Sequence, residues 1–473
     1  MANQKFRMEK DSVGKKEVPV EAYYGVNSLR AAENFTITGR RMHPMQIVSL
    51  AEIKKACAIA NCDAGVITEE VKDAIVQASE EVIEGKLHDQ FIVDPIQGGA
   101  GTSGNMNANE VIANRANEIL GGELGAYDRV HPNDHVNNGQ STNDVYPTSG
   151  KLTALKLVPQ TIEELKKLRE ALLAKAEEFD KVIKMGRTQM QDAVPIRLGQ
   201  EFHAYATAIG RDIKRIEHAF EELKVVNMGG SAIGTGINVD TGYFERVVPE
   251  LAKVTGLDLK QAEDLVDGTQ NIECFTVASS SLKSAAVNLS KMSNDLRLMS
   301  SGPRTGFGEI NLPSRQNGSS IMPGKINPVI PEVVTQVAYN VIGNDVTITM
   351  AAEAGQLELN AFEPVVFYNL FESIETLAHA VATLRDNCIV GITANVERCQ
   401  SLVDNSVGVI TAIVPHVGYK QAAEIADEAI ATGKPVRDLV LRDKLLTEEE
   451  LNEILEPVAM TEPGIAAKHL LDE

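Results

Sequence analysis

Tryptophan is absent from this chain of 473 residues, and aromatic residues together make up only 4% of it. A core with so few rings must be filled by leucine, isoleucine, valine, alanine and methionine, which suits packed helices better than a β-sandwich. Hydrophobic residues account for 43% and charged residues for 23%, which is ordinary for a globular protein. The length exceeds that of one compact core, so we expect two or three structural units.

Positive charge is also scarce, since 45 lysines and arginines stand against 66 aspartates and glutamates, giving a formal net charge of -21. Binding to nucleic acid regardless of its sequence needs a basic face, so we expect no nucleic-acid partner. The same negative field repels a dianionic substrate. Any anion site must therefore be built locally from lysine, hydroxyl and backbone N–H groups.

Cysteine is infrequent, and its five positions show no close pairing pattern. The odd number and the apolar helical surroundings of several of them predict free thiols in a reducing compartment. No run of about eighteen apolar residues occurs, and the first residues lack the apolar segment of a signal peptide. We expect a cytoplasmic protein without a membrane partner. The cysteines are Cys57, Cys62, Cys274, Cys388 and Cys399.

Long helical patterns fill the middle of the chain. Five amphipathic stretches predict helices of about 25 to 30 residues each, packed side by side. The stretch from Phe275 and the one from Phe367 are heptads, which indicates near-parallel packing. Several stretches are apolar on more than one face, as at Val333-Val334, so we expect a bundle that also oligomerises. The five patterns run over residues 162–179, 198–223, 275–299, 331–351 and 367–388.

We therefore predict an all-α chain of three domains. Residues 1–141, which glycines and prolines interrupt, form an N-terminal domain. Residues 142–395 form a central five-helix bundle, and residues 396–473 form a small C-terminal helical domain. In the last of these, Thr447-Glu448-Glu449-Glu450 is a capping box that opens a helix.

A loop of unusual chemistry runs from Gly318 to Pro328, with the sequence Gly-Ser-Ser-Ile-Met-Pro-Gly-Lys-Ile-Asn-Pro. Its glycines and prolines exclude regular helix or strand, so the segment must be a shaped loop. It places two hydroxyls, a lysine and an asparagine within a few residues of each other. An exposed linker has little use for Ile-Met-Pro at its centre, although a polar surface turn remains the alternative to a binding loop.

Three other polar segments carry hydroxyls and amides where a plain connection needs none. Residues 98–110, GGAGTSGNMNANE, have glycines just before a predicted helix, where backbone N–H groups can approach an anion. Residues 135–144, HVNNGQSTND, and residues 186–192, GRTQMQD, adjoin the predicted long helices. For the first two segments, simple helix capping is the alternative interpretation.

A glycine-rich run and most of the histidines give only weak indications of function. The run GGSAIGTG at residues 229–236 looks like a dinucleotide-binding loop, but it follows a predicted helix and lacks a βαβ context, so we reject that reading. His203, His218 and His379 lie within predicted long helices, which favours structural or exposed roles. His135, in a polar segment, is the histidine with a claim to catalysis.

Residues 318–327 match every fixed position of G-S-S-x-M-P-x-K-x-N, the signature loop of the aspartase/fumarase superfamily. The other three polar segments resemble that superfamily's remaining motifs, and the resemblance covers nearly the whole chain. It implies a small helical N-terminal lyase domain, a central five-helix bundle and a small C-terminal domain. It also implies a homotetramer in which three subunits share each active site.

The resemblance further implies a reaction plan. A base removes a proton from the carbon next to a carboxylate, and the resulting aci-carboxylate expels a group from the neighbouring carbon to give fumarate. The site must bind this developing dianion more tightly than the substrate. Ser319 is implied as the base, an alkoxide stabilised by N–H groups and nearby positive charge. The residues implied in substrate binding are Thr102, Ser141, Thr142 and Ser320 at the β-carboxylate, Lys325, Asn327 and Thr188 at the α-carboxylate, and Asn143 and Gln189.

Gln189 bears on which group leaves. Fumarases typically carry a histidine at this position, which helps to protonate the departing oxygen. Glutamine is no acid, but its amide oxygen can accept a hydrogen bond from an ammonium group, which leaves as neutral ammonia. We therefore expect reversible deamination of L-aspartate to fumarate, with fumarate hydration or an inactive scaffold as alternatives. We expect no required cofactor and no metal site, with activation by a divalent metal such as Mg²⁺ as the alternative.

Overall fold

Helices dominate the structure, a computed structural model in which residues 5–471 are described. All strands among these residues pair into two-stranded sheets. The predicted all-α class is therefore confirmed. Within the described range, no helix is long and apolar enough to span a bilayer.

The first part of the chain begins with an antiparallel hairpin, in which Phe6 pairs with Pro19 and Lys10 with Lys15. Four helices follow, and a single π-helical turn, Pro132–Val136, leads to the bundle. The elements are β1 (Phe6–Lys10), β2 (Lys15–Pro19), α1 (Val26–Asn34), α2 (Pro44–Asp63), α3 (Glu69–Ile83) and α4 (Thr102–Ile119).

Five long helices form the middle of the chain, as predicted. A hairpin of β3 and β4 joins the first two, and the sequence analysis did not predict strands there. The long helices are α5 (Thr142–Glu178), α6 (Leu198–Glu221), α9 (Glu273–Met299), α10 (Val329–Glu353) and α11 (Glu363–Asn387). The shorter elements are β3 (Ile183–Thr188), β4 (Gln191–Arg197), β5 (Val225–Val226), α7 (Thr241–Thr255), β6 (Lys260–Gln261), α8 (Asp267–Gln270) and β7 (Ile310–Asn311).

Short helices make up the C-terminal part. Thr447 opens one of them with a capping box, because its hydroxyl accepts from the N–H of Glu450 while the Glu450 carboxylate accepts from the N–H of Thr447. This confirms the sequence prediction. The elements are β8 (Thr393–Ala394), α12 (Val396–Asp404), α13 (Ile410–Val417), α14 (Tyr419–Thr432), α15 (Val436–Arg442), α16 (Glu448–Ile454) and α17 (Pro457–Thr461).

The chain divides into two compact units, and each of the five long helices contributes residues to both. The domain boundaries that the sequence indicated, after residues 141 and 395, are a different kind of division and stay a prediction. The first unit comprises the residues up to Ile162, Lys214–Ser284 and Tyr339–Leu377, and the second comprises Glu163–Ile213, Ala285–Ala338 and the residues from Ala378 onward.

In the first unit, aromatic rings join three of the long helices. The ring of Phe367 lies 5.3 Å from that of Tyr146 and 5.1 Å from that of Phe275, between centroids. Gly150 is required beside them, because a β-carbon there would overlap the Phe367 ring. Burying such a ring contributes about 1.5–3 kcal/mol to stability, so these contacts matter in a chain poor in aromatics.

In the second unit, polar pairs join α6 and α9. The Asn288 amide donates to the Asp212 carboxylate at 2.7 Å, and the Tyr205 hydroxyl donates to Asp295 at 3.1 Å. The C-terminal helices share an aliphatic core with β3. Its fully buried members are Ile413, Val440, Leu451 and Ile454.

Candidate active site

The signature loop is closed at its neck by two hydrogen bonds. The N–H of Gly318 donates to the carbonyl of Lys325 at 2.9 Å, and the side-chain amide of Asn327 donates to the carbonyl of Gly318 at 2.7 Å. A β-carbon on residue 318 would overlap the Lys325 carbonyl. Glycine is therefore needed at this position so that the two sides of the neck can approach.

Within the loop, two backbone donors converge on the hydroxyl of Ser319. Its Oγ accepts from the N–H of Ile321 at 3.2 Å and from that of Met322 at 3.0 Å. Ser320 and Lys325 are exposed, and Ile321 is 83% exposed although it is apolar. The segment thus holds a serine oxygen against two N–H groups while Ser320, Ile321 and Lys325 are exposed.

The turn between β3 and β4 is strained. Thr188 pairs with Gln191, and the two residues between them, Gln189 and Met190, have positive φ values of 53° and 66°. Two successive residues in this conformation make a type I′ turn, which favours Asn-Gly. Non-glycine residues in the left-handed region cost about 1–2 kcal/mol each, and such strain concentrates at functional sites.

Charged contacts fix this hairpin to the rest of the second unit. Arg187, which precedes Thr188, donates to the buried carboxylate of Glu309 at 2.9 Å and lies 4.1 Å above the ring of Phe307. The hydroxyl of Ser406 donates to the Asp192 carboxylate at 2.7 Å. Both strands that flank the turn carrying Gln189 are therefore anchored by side-chain contacts.

In the first unit, three residues with positive φ lead into α4. Gly99, Ala100 and Gly101 have φ values of 87°, 54° and 88°, and a β-carbon on Gly101 would overlap the ring of Tyr146. Thr102 begins the helix, and its hydroxyl donates to the carbonyl of Gly99 at 2.7 Å. Thr102 is exposed, so its hydroxyl oxygen remains accessible from outside.

The turn that opens α5 is organised by a residue that sequence reasoning did not single out. The buried carboxylate of Asp144 accepts from the N–H groups of Ser141 at 2.9 Å, Gly229 at 3.2 Å and Ser231 at 3.0 Å. Burial raises the pKa of Asp144 to about 6, against the effect of these three donors. The carboxylate fixes Ser141 and the following residues in place.

The glycine-rich run at 229–236 thus has a structural role. Its N–H groups bind Asp144, and the carbonyl of Ala232 accepts from the Asn143 side chain at 2.7 Å. The Asn227 amide donates to the carbonyl of Asn143 at 3.0 Å. The run supports the polar turn, and two of its N–H groups are already committed to a carboxylate.

Thr142 and α4 are joined by a second residue that sequence reasoning missed. The side-chain amide of Asn105, which is only 1% exposed, donates to the Thr142 hydroxyl oxygen at 3.0 Å. The place of Asn105 in the polar segment 98–110 was the available signal, because a buried amide needs polar partners.

His135 has a structural contact. Its Nδ1 accepts from the N–H of His131 at 2.8 Å within the π-helical turn. Burial lowers the pKa of His135, which favours the neutral ring.

The predicted site residues fall into two groups. Thr102, Ser141, Thr142 and Asn143 belong to the first unit, whereas Thr188, Gln189, Ser319, Ser320, Lys325 and Asn327 belong to the second. A cavity of about 840 Å³ in the first unit is lined by none of them, and Thr188 alone among them lines one of about 750 Å³ in the second. Among residues 5–471, no three His, Cys, Asp or Glu side chains are placed to hold a metal ion.

Comparison with known proteins places this arrangement in a family. The sequence pattern of a family described as lyase matches residues 14–343, and that of the fumarase C C-terminus matches residues 409–462. The chain belongs to the aspartase/fumarase family of lyases. As a member of this family it is an enzyme with a small-molecule substrate.

Family relatives span nearly the whole chain. Aspartate ammonia-lyases from a Bacillus species and from Bacillus subtilis are 56% and 55% identical to it, over 98% and 99% of this chain and 100% and 98% of theirs. A fumarate lyase:delta crystallin from Brucella melitensis, solved bound to cobalt, gives a TM-score of 0.94 at 50% identity over 97% of this chain and 100% of that one. A class II fumarase from Schistosoma mansoni gives 0.93 at 36% identity, also over 97% of this chain and 100% of that one. The predicted superfamily fold, with its five-helix bundle, is thereby confirmed.

Proposed function

We propose that this family member is an aspartate ammonia-lyase, which converts L-aspartate reversibly to fumarate and ammonia. The observation that carries the proposal is the near-full-length similarity, at 50–56% identity, to proteins of that name from several bacteria. The residues proposed for the chemistry are all present, which argues against a scaffold that has lost catalysis.

Ser319 is the proposed base that removes the Cβ proton. A free serine hydroxyl is far too weak an acid to exist as an alkoxide near neutral pH. The N–H groups of Ile321 and Met322, which both point at Ser319 Oγ, stabilise a negative charge there. A proton leaves Cβ to the serine oxygen, and the electron pair moves into the neighbouring carboxylate to give the aci-carboxylate.

The two carboxylates of aspartate are held by different kinds of group. Neutral hydroxyls surround the β-carboxylate, where charge develops, because fixed dipoles stabilise that charge without carrying a net charge themselves. The cation of Lys325, with Asn327 and Thr188, holds the α-carboxylate in both ground and transition states. The hydroxyls are those of Thr102, Ser141, Thr142 and Ser320.

The amino group leaves as ammonia. Bound aspartate already carries a protonated amine, so collapse of the aci-carboxylate breaks the C–N bond and releases neutral ammonia without a catalytic acid. The amide oxygen of Gln189 accepts a hydrogen bond from this ammonium, and Asn143 lines the same region. A glutamine is thus sufficient when the leaving group is an ammonium, whereas a hydroxide leaving group would need an acid to protonate it.

We also propose a homotetramer in which three subunits contribute to each active site. Helix α10 supports it, because its outward face from Val333 to Met350 carries no charged residue over about 25 Å. On that face Tyr339 is 63%, Val346 59% and Met350 62% exposed in the single chain. Such a face calls for apolar cover, and a β-carbon at Gly343 would meet nothing within 4 Å, which leaves room for another helix to approach closely.

The proposal also covers the need for a cofactor, the cellular location and the partners. The mechanism uses side chains and backbone N–H groups throughout, so it requires no cofactor, and any effect of Mg²⁺ would be one of activation. The protein would act in the cytoplasm, on L-aspartate and fumarate, with neither nucleic acid nor membrane as partner.

The test is substrate choice by the purified protein. Fumarate formation, followed by its ultraviolet absorbance, should be rapid with L-aspartate and negligible with L-malate. Turnover of malate comparable with that of aspartate would contradict the proposal. Inactivity with both, in a folded protein, would favour the scaffold alternative.

A further inference from the structure

Lys54 is the most unusual charged group that the proposed mechanism does not use. It lies on α2 and is 0% exposed. Its Nζ contacts three side-chain amide oxygens, those of Asn105 at 2.8 Å, Asn137 at 2.9 Å and Gln140 at 2.8 Å. A buried lysine normally pairs with a carboxylate, so three neutral acceptors around one cation indicate another purpose.

Protonated Lys54 determines the donor and acceptor roles in this cluster. An ammonium has three donors and no acceptor, so each of the three amides must turn its oxygen toward Lys54. Two backbone carbonyls support this orientation for Gln140, because its amide nitrogen donates to the carbonyls of Val136 at 3.0 Å and Asn138 at 3.1 Å. Burial lowers the pKa of Lys54 to about 7, while the charges of Cys57 and Asp144 raise it. The three acceptor oxygens around Nζ suit the protonated form, which has three donors.

The consequence reaches a residue of the proposed site. Because the oxygen of Asn105 accepts from Lys54, its nitrogen is the donor, and it donates to the Thr142 hydroxyl oxygen at 3.0 Å and to Asn137 Oδ1 at 3.2 Å. The hydroxyl hydrogen of Thr142 then cannot point at Asn105. It is free to be donated outward to an anion.

We propose that Lys54 is a positioning residue, which orients the Asn105 amide so that the Thr142 hydroxyl is held as a hydrogen-bond donor to the substrate carboxylate. The inference rests on the proposed function, since Thr142 matters only if an anion binds there. On this proposal Lys54 acts through Asn105 and sets the direction in which the Thr142 hydroxyl donates its hydrogen bond.

A double-mutant cycle between Lys54→Met and Thr142→Val tests it. Methionine keeps the length of the side chain without its donors, and valine keeps the shape of threonine without its hydroxyl. Each single variant should lower kcat/KM for L-aspartate by about 10- to 100-fold, as expected for one lost hydrogen bond to a charged group. The double variant should have a kcat/KM no lower than that of the less active single variant. Losses in kcat/KM that multiply in the double variant would overturn the proposal.

Lys55→Met is the matched control for this cycle. Lys55 is the next residue on the same helix, and it pairs with Glu80 at 2.8 Å, away from the amide cluster. Its replacement should leave kcat/KM within about twofold of wild type, since an exposed ion pair contributes little. A loss equal to that of Lys54→Met would mean that the assay reports general damage to α2, and would overturn the proposal.

A second variant covers the case in which Lys54→Met fails to fold. Asn105→Asp keeps an acceptor for Lys54 but replaces the donor to Thr142 by a second oxygen, which would draw the Thr142 hydroxyl hydrogen inward. It should therefore lose kcat/KM by a similar factor, with no further loss when combined with Thr142→Val. Wild-type activity in Asn105→Asp would overturn the inference. Failure of the wild-type protein to deaminate aspartate would instead reject the proposed function.

Discussion

Replacing Met190 by glycine should stabilise the protein although it deletes a side chain. Its φ of 66° lies in the left-handed region, which costs a non-glycine residue about 1–2 kcal/mol. Glycine avoids this cost but gives back about 0.5–1 kcal/mol through the greater freedom of the unfolded chain. Met190 is 55% exposed, so little burial is lost. The net gain of about 0.5–1 kcal/mol per chain corresponds to a rise in Tm of about 1 °C.

The matched control is Met190→Ala, which removes the same side chain but keeps the β-carbon that causes the strain. Both variants would be compared with wild type by urea unfolding and by thermal scans at one fixed protein concentration, because oligomer stability depends on concentration. If the glycine variant is no more stable than the alanine variant, the strain argument is refuted.

Gln189→Gly tests why the strain is retained. Its φ of 53° predicts a similar gain in stability. The variant also deletes the amide that is proposed to accept from the leaving ammonium, so kcat/KM for aspartate should fall by about 10- to 100-fold. Stability gained with activity lost is the expected sign of strain held for function. Full activity in this variant would show that the strained turn has no catalytic use.

Three further predictions concern the base, a buried acid and the assembly. Ser319→Ala should lower kcat by several orders of magnitude, whereas Lys325→Met should mainly raise KM; steady-state kinetics separate these roles, and more than a tenth of wild-type kcat in Ser319→Ala would require another base. Burial raises the pKa of Asp144 from its ordinary value of 3.8 to about 6. The folded state therefore binds this proton more tightly than the unfolded state, and the contribution to the free energy of unfolding is lost as the pH rises from about 4 to about 6. Asp144→Asn should reduce the change of Tm with pH in this range. An unchanged dependence of Tm on pH would exclude Asp144 as the group responsible. Val346→Glu should dissociate the tetramer in light scattering, whereas the same change at Ile430, which is 71% exposed on α14, should not; an intact Val346→Glu tetramer would place the interface elsewhere.

The helices were predictable because their information is local. The heptad from Phe275 to Met299 gave α9, Glu273–Met299, almost to the residue, and the capping box gave the start of α16. The hairpin at Ile183–Arg197 was not predicted, because its turn residues, Gln-Met, are poor formers of a type I′ turn. Only the surrounding contacts, such as that of Arg187 with Glu309, hold that turn in place.

The supporting polar residues escaped prediction for a different reason. Lys54 stands beside Lys55 on α2, and nothing in the sequence distinguishes the two lysines, yet Lys54 is fully buried and Lys55 pairs with Glu80. Asp144 is two residues from Thr142 and resembles an ordinary first-turn acid. Its partners at 229 and 231 are distant in sequence, so the contact arises only from tertiary structure.

The most direct measurement follows the reverse reaction by NMR in deuterium oxide, with fumarate and ammonium as reactants. The wild-type protein should give L-aspartate that carries one deuteron at Cβ, with no malate, because Ser319 returns a solvent-derived proton to that carbon while ammonia adds to its neighbour. Malate as the main product, or aspartate without deuterium at Cβ, would contradict deamination by abstraction of the Cβ proton.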